Sequence, residues 1–135
     1  MVHRCYLDLI LSGAKTVEAR LSKTRREPYT SLREGERVYF KQTGGAILAR
    51  AVAARVHRFE FTGPGDMDRV RRRFERRLGG PSRYWDDRAG ARYATIIELG
   101  GVETVDEDPG WYRPHNTRSA WRVFENGAAD SSPVR

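Results

Sequence analysis

Lys15, Glu18 and Arg20 bring an amine, a carboxylate and a guanidinium together within six residues of chain. Each has a distinct use. A lysine whose charged form is disfavoured by burial or by a neighbouring cation becomes a general base. A carboxylate accepts a hydrogen bond from a polar ligand or orients the lysine. An arginine binds an anion or a carbonyl oxygen. The plain alternative is a solvated ion pair between Glu18 and Arg20 on a wet strand face, and most charged residues are solvated. Other candidates lie further along. Lys41 adds a cation, Tyr39 precedes it by two residues, and Trp85 and Trp121 offer faces on which a base can stack, although Trp85, with Tyr84, could equally cap a barrel. A metal site is not expected, because His3, His57 and His115 show no ligand spacing. No cofactor motif is present.

The elements that must hold these groups follow from periodicity. Tyr6, Leu7, Ile10 and Leu11 sit at helical spacing, and Gly13 follows where a helix stops in the left-handed conformation. The period then changes to two: Val17, Ala19 and Leu21 alternate with Thr16, Glu18 and Arg20, which predicts a half-buried strand with Lys15 at its mouth. Residues 22–34 read as a basic loop carrying Lys23, Arg25 and Arg26. Val38 to Lys41 reads as a strand, and Gly44-Gly45 as a hairpin turn. Ala46 to Phe61 admits either a helix or a long strand. Its Val52, Val56 and Phe59 and the preceding Gly-Gly favour a strand that bends as barrel strands do. After Thr62-Gly63-Pro64-Gly65, Asp66 is a candidate N-cap. Met67, Val70, Phe74 and Leu78 then form an apolar stripe opposite an arginine face that includes Arg72 and Arg76. Residues 82–88 form a turn with Tyr84, Trp85, Asp86 and Asp87. Residues 92–99 alternate as a strand, Gly100-Gly101 marks a bulge, and residues 120–124 make the last strand.

The 135 residues fit one domain over residues 1–125, with a small, polar, unpatterned tail over 126–135 expected to be disordered. The single Cys5 cannot form an internal disulfide, and no apolar run is long enough to span a bilayer. A soluble cytoplasmic protein with no membrane partner is expected. The formal charge of +7, rich in arginine, points to nucleic acid or another polyanion; a GC-rich genome would also raise arginine content. The arginine face of residues 66–78 could lie along a phosphate backbone, bind an acidic protein, or simply be solvated.

The octamer Gly13-Ala14-Lys15-Thr16-Val17-Glu18-Ala19-Arg20 resembles the G-x-K-x-x-E-x-R signature of the ASCH domain, a branch of the PUA-like superfamily. The flanking pieces extend the resemblance over about residues 3 to 125. Tyr6 to Gly13 is similar to the preceding helix, Gly35 to Lys41 to the next strand and its entry turn, and Arg118 to Val123 to the closing strand. The resemblance implies an α+β fold: a small PUA-like β-barrel of five or six strands with two or three helices on its side. It implies RNA, single-stranded nucleic acid or a nucleoside as ligand. In that reading Lys15, Arg20 and Lys41 contact an anion or carbonyl oxygen, and Glu18 accepts from a base edge. Trp85 or Trp121 stacks, and Tyr39, Arg72 and Arg76 add to the surface. Some relatives are amidohydrolases that deacetylate N4-acetylcytidine and others are ribonucleases, so a metal-independent hydrolase with Lys15 as base and Glu18 as its companion is the alternative. The amidohydrolase pattern is incomplete: its catalytic threonine falls at Glu18. Its glutamate has only Glu75, Asp86 or Asp87 as unaligned counterparts. A protein-interaction module using the basic helix 66–78 is the third reading.

Overall fold

The computed structural model describes residues 4–41, 46–79, 83–105, 122–124 and 132–134. Helix α1 (Arg4–Ser12) leads into β1 (Val17–Ser22), followed by β2 (Arg37–Lys41) and β3 (Ile47–Glu60). Helices α2 (Asp66–Leu78) and α3 (Arg83–Asp86) precede β4 (Tyr93–Thr104), and two three-residue segments, β5 (Arg122–Phe124) and β6 (Ser132–Val134), close the order. The sheet order is β1-β4-β3-β2-β6-β5. Its body is the four long antiparallel strands, curled into a half-barrel. The expectation of a barrel with five or six strands is therefore corrected. β1 has β4 as its only neighbour among the described strands, and β5 and β6 join only through one parallel pairing of Tyr39 with Val134. The Gly44-Gly45 turn, the loop 106–117, Trp121 and most of the expected tail lie outside the described residues.

The ambiguous alanine-rich stretch is a strand. Ile47, Ala49, Ala51 and Ala53 are buried and alternate with outward residues, the period of two that a half-buried strand demands. Two register shifts, between Arg50 and Val52 and between Ala53 and Arg55, bend it. Small alanines let α1 and the Leu32 segment approach closely. Leu7, Ile10, Leu32, Val38, Phe40 and Ile97 complete this first core. The opposite face carries a second core, in which Val17, Ala19 and Ile96 meet Val70, Phe74, Leu78 and Trp85. Adjacent Ile96 and Ile97 point into different cores, so the body of the sheet is covered on both faces.

Helix α2 presents Val70, Phe74 and Leu78 inward at spacings of four, as its stripe predicts. Its start differs from expectation. Gly65 holds the N-cap position, and the Asp66 carboxylate instead reaches back to the backbone N–H groups of Thr62 (2.8 Å) and Gly63 (3.0 Å). Those two donors and Arg69 hold the Asp66 carboxyl below its usual range. Gly79 ends the helix at φ +67°, and a Cβ there would lie 3.3 Å from Ala14 O and 3.4 Å from Lys15 Cβ. Glycine is thus needed twice over, for the left-handed turn and for the close passage of the chain bearing Lys15.

Candidate functional site

Gly13, at φ +82°, turns the chain from α1 into β1 and delivers Lys15 to the C-terminus of α2. Lys15 is 5% exposed, and its Nζ donates to Leu78 O at 3.0 Å. Next to it, Thr16 N donates to Arg77 O at 2.9 Å. The mouth of β1 therefore satisfies the last carbonyls of α2, and the ammonium sits at the negative end of the helix dipole. The Tyr6 ring, from α1, lies 5.9 Å from Nζ. Burial lowers the Lys15 pKa from the ordinary lysine value; Glu18 opposes that shift and Arg20 adds to it.

A second set of contacts fixes the same corner. Arg77 Nη2 donates to Glu98 Oε1 at 2.9 Å, and His57 Nε2 lies 2.6 Å from Glu98 Oε2. His57 and Arg77 together hold the Glu98 carboxyl below its ordinary range. Three elements, β3, α2 and β4, are pinned beside Lys15 by this network.

Glu18 is 7% exposed and stands opposite Ile97, on the first-core face of the sheet. Its Oε1 accepts from Ala19 N at 3.1 Å, while Oε2 is buried with no hydrogen-bond partner. Arg20 and Thr95 are paired across β1 and β4 and share that face. Arg20 Nε and Thr95 Oγ1 are likewise buried and unpartnered. An acceptor and a donor, with a hydroxyl that can be either, are thus left open along one strand face, where an unmade hydrogen bond ordinarily costs about 1–3 kcal/mol each. Such a group of orphans calls for water or a ligand.

Tyr84 completes the corner from α3. Its hydroxyl donates to Ala19 O at 2.8 Å. Ala19 therefore spends both backbone groups on side chains, its N–H on Glu18 and its C=O on Tyr84. This is how β1, which has only β4 beside it among the described strands, covers the outward backbone groups of Ala19. Burial pushes the Tyr84 hydroxyl up to about 12, with Arg20, Glu18, Arg88 and Tyr6 acting on it through space.

The structure thus brings Glu18 and Arg20 on β1 together with Lys15 from the turn that enters it, and adds Tyr6, Tyr84 and Thr95. Tyr84 was legible only as an aromatic in a turn, and Thr95 only as an alternating strand residue. The remaining expected residues lie elsewhere. Trp85 is 2% exposed inside the second core, so the expectation of an open stacking face is corrected: its apolar ring completes the α2–β1 packing. Tyr39 is buried and Lys41 half-buried on β2, which β4 and β3 separate from β1 in the sheet order. Arg72 and Arg76 are exposed on the outer face of α2. Trp121 is outside the described residues. Among the described residues, no three His, Cys, Asp or Glu side chains are grouped to hold a metal ion, and no helix is long and apolar enough to cross a membrane.

No protein-family model and no curated protein matches the chain. Solved structures do. The ASCH protein of Zymomonas mobilis superposes with a TM-score of 0.61 at 20% identity, covering 76% of this chain and 66% of that protein. Two mutant forms of the same protein give TM-scores of 0.61 and 0.58 at 20% and 17% identity, covering 76% and 78% of this chain and 68% of theirs. Over about three quarters of its length the chain shares the fold of that ASCH protein.

Proposed function

We propose that the chain is an ASCH-family domain that binds a nucleoside or a single-stranded nucleic acid segment, RNA first, at the edge of β1. The observation that supports this most is the buried Glu18 Oε2 without a partner, sharing its strand face with the equally open Arg20 Nε and Thr95 Oγ1. A base edge has the matching groups: exocyclic amines and ring N–H groups donate to a carboxylate, and carbonyl oxygens and ring nitrogens accept from a guanidinium. A base that supplies these hydrogen bonds meets valences that the described side chains leave open. The direct test is equilibrium binding of the four ribonucleosides and a short single-stranded RNA. Lys15→Ala combined with Arg20→Ala is expected to weaken binding by about tenfold or more, the scale of one lost charge-assisted hydrogen bond. Unchanged affinity in that variant sinks the reading.

A hydrolase is the second reading, and the lowered Lys15 pKa favours it. A lowered pKa brings the amine closer to taking a proton from an attacking water or a ribose hydroxyl, with Glu18 positioning it. The substrate would be a modified nucleoside bearing an amide, or RNA. Acetate release from N4-acetylcytidine and cleavage of single-stranded RNA are the assays. Activity in the parent with none in Lys15→Ala supports this reading over simple binding.

A further inference from the structure

Where β1 leaves the sheet, the chain borders a cavity of about 350 Å³ that none of the contacts described above uses. Ser22, Lys23 and Arg26 line one side, and Arg88 and Asp87, just after α3, line the other. Three cations thus face one carboxylate. All three are exposed, and among the described residues none has a carboxylate partner. On α2, by comparison, Arg69, Arg71 and Arg77 each meet an acid, while among the described residues Arg72, Arg73 and Arg76 do not.

The cavity is built, not incidental. Arg88 is held rather than free: its guanidinium lies 3.9 Å from the Tyr84 ring centroid, and Nη1 donates to Tyr84 O at 3.1 Å. Ser22 Oγ donates to Thr24 O at 2.8 Å, which fixes the turn carrying Lys23. Gly90 leaves room for the lysine, since a Cβ there would lie 3.2 Å from Lys23 Cε. Tyr84 joins this cavity to the β1 edge: its ring supports Arg88 and its hydroxyl bonds Ala19 O. Glu18, Arg20 and Ser22 also share one face of β1, and four residues of strand span about 13 Å, comparable with the long dimension of a mononucleotide.

We propose that this cavity is a phosphate subsite: Lys23, Arg26 and Arg88 bind the phosphate of a nucleotide whose base lies against Glu18. Guanidinium forks match phosphate oxygens bidentately, and a lysine adds a mobile point charge. Asp87, the one acid on the wall, is complementary to ribose hydroxyls rather than to the anion. The proposal rests on the β1-edge reading and deepens it: the ligand is phosphorylated, as a mononucleotide or as a stretch of RNA. A phosphomonoester and a backbone phosphodiester offer the same oxygens.

The test uses the full chain, isotopically labelled, titrated in turn with inorganic phosphate, the four ribonucleosides, their 5′-monophosphates and a short oligoribonucleotide lacking terminal phosphates. Backbone amide shifts locate each ligand. Phosphate is expected to move the amides of Ser22, Lys23, Arg26 and Arg88. The favoured monophosphate is expected to bind about tenfold tighter than its nucleoside, and Lys23→Ala with Arg26→Ala abolishes that advantage while leaving nucleoside affinity unchanged. Both residues are exposed on a loop, so the variant keeps the fold. A gain confined to the monophosphates assigns a phosphomonoester, and a gain shared by the oligoribonucleotide assigns the backbone diester. Phosphate shifts scattered over the α2 arginines, or equal affinity for nucleoside and monophosphate, overturn the subsite and leave the β1-edge reading standing. Phosphate shifts confined to the cavity, with no nucleoside reaching the β1 amides, support the subsite and remove that reading instead.

Discussion

The edge of β1 and the outer face of α2 are both built from charged residues, yet they treat charge in opposite ways. On α2 the charges are solvated, and half of the six arginines are matched. Arg69 pairs with Asp66, Arg71 lies 3.4 Å from Glu75 and 3.1 Å from Asp86, and Arg77 meets Glu98 at 2.9 Å. At the β1 edge Lys15 and Glu18 are almost fully buried, and Glu18 keeps one oxygen unmatched. A solvated pair contributes little to stability or to chemistry, because water competes for both partners. A buried group without a partner is costly, and that cost is recovered only when something binds. The charge run that dominates the sequence is thus the less informative region, and three residues in and just before an unremarkable strand are the more informative ones.

The largest effect separating the two regions is expected at Glu18. Replacing it with leucine removes the through-space support of Lys15 and leaves the Ala19 N–H bare. By analogy with breaking any buried charge pair, the cost is about 3 kcal/mol in chemical denaturation. The double variant, Glu18→Leu with Lys15→Met, is expected to recover much of that loss, since apolar side chains of similar volume no longer bury charge. A Glu18→Leu protein as stable as its parent shows that the β1 edge is electrostatically no different from the helix surface.

The pH dependence sharpens the same contrast. Tyr84 titrates near 10 in the unfolded chain and at about 12 when folded. The folded state therefore holds this proton more tightly. The resulting stability is fully present below pH 10 and lost as pH rises from 10 through 12. Its scale is on the order of 2 kcal/mol. Tyr84→Phe is expected to flatten that alkaline loss and to cost about 1 kcal/mol at neutral pH through the missing bond to Ala19 O. Lys15 works in the other direction. Its folded pKa lies below 10.5, so the unfolded chain binds the extra proton between the two values, and stability climbs with pH across that window. Denaturation midpoints measured from pH 7 to 12 for parent, Tyr84→Phe and Lys15→Met resolve the two slopes. An unchanged profile in Lys15→Met shows that its ammonium is as well solvated as the exposed guanidinium groups of α2.

Much of this was legible in the sequence because local rules agreed with the fold. The period change at Gly13, the apolar stripe of Val70, Phe74 and Leu78, and the alternation from Tyr93 to Leu99 each have one structural solution, and the chain adopts it. The alanine strand was legible only through its flanks, since alanine favours helix and the tight first core decides otherwise. The site was half legible. Lys15, Glu18 and Arg20 sit in sequence order, but Thr95 and Tyr84 reach them from 75 and 64 residues away from Arg20, by strand register and by helix docking. No spacing rule encodes such pairings. Trp85 was ambiguous for a related reason: an aromatic beside two aspartates reads equally as a stacking face or as a cap on the core, and the packing of α2 and β1 decides for the second. Asp66 was placed correctly at the helix start, but its carboxylate serves the preceding turn because Gly65, with no side chain, occupies the cap.

The smallest expected effect is on the helix. Arg72 and Arg76 are exposed one turn apart, and among the described residues neither has a partner. Arg72→Ala with Arg76→Ala is expected to change folding stability by less than about 0.5 kcal/mol, since alanine is the better helix former and no contact is lost. If single-stranded RNA binds at the β1 edge and merely passes near α2, affinity falls slightly at every salt concentration. The slope of log K against log salt then drops by at most about 0.7 for each phosphate contact removed. The same double substitution distinguishes the opposite case. If α2 is the main nucleic-acid surface, affinity collapses while Glu18→Gln has no effect, and the unmatched carboxylate on β1 is then a structural cost unrelated to binding. Salt titrations of the parent, the arginine variant and Glu18→Gln against one oligoribonucleotide assign the ligand to the buried charges or to the solvated ones.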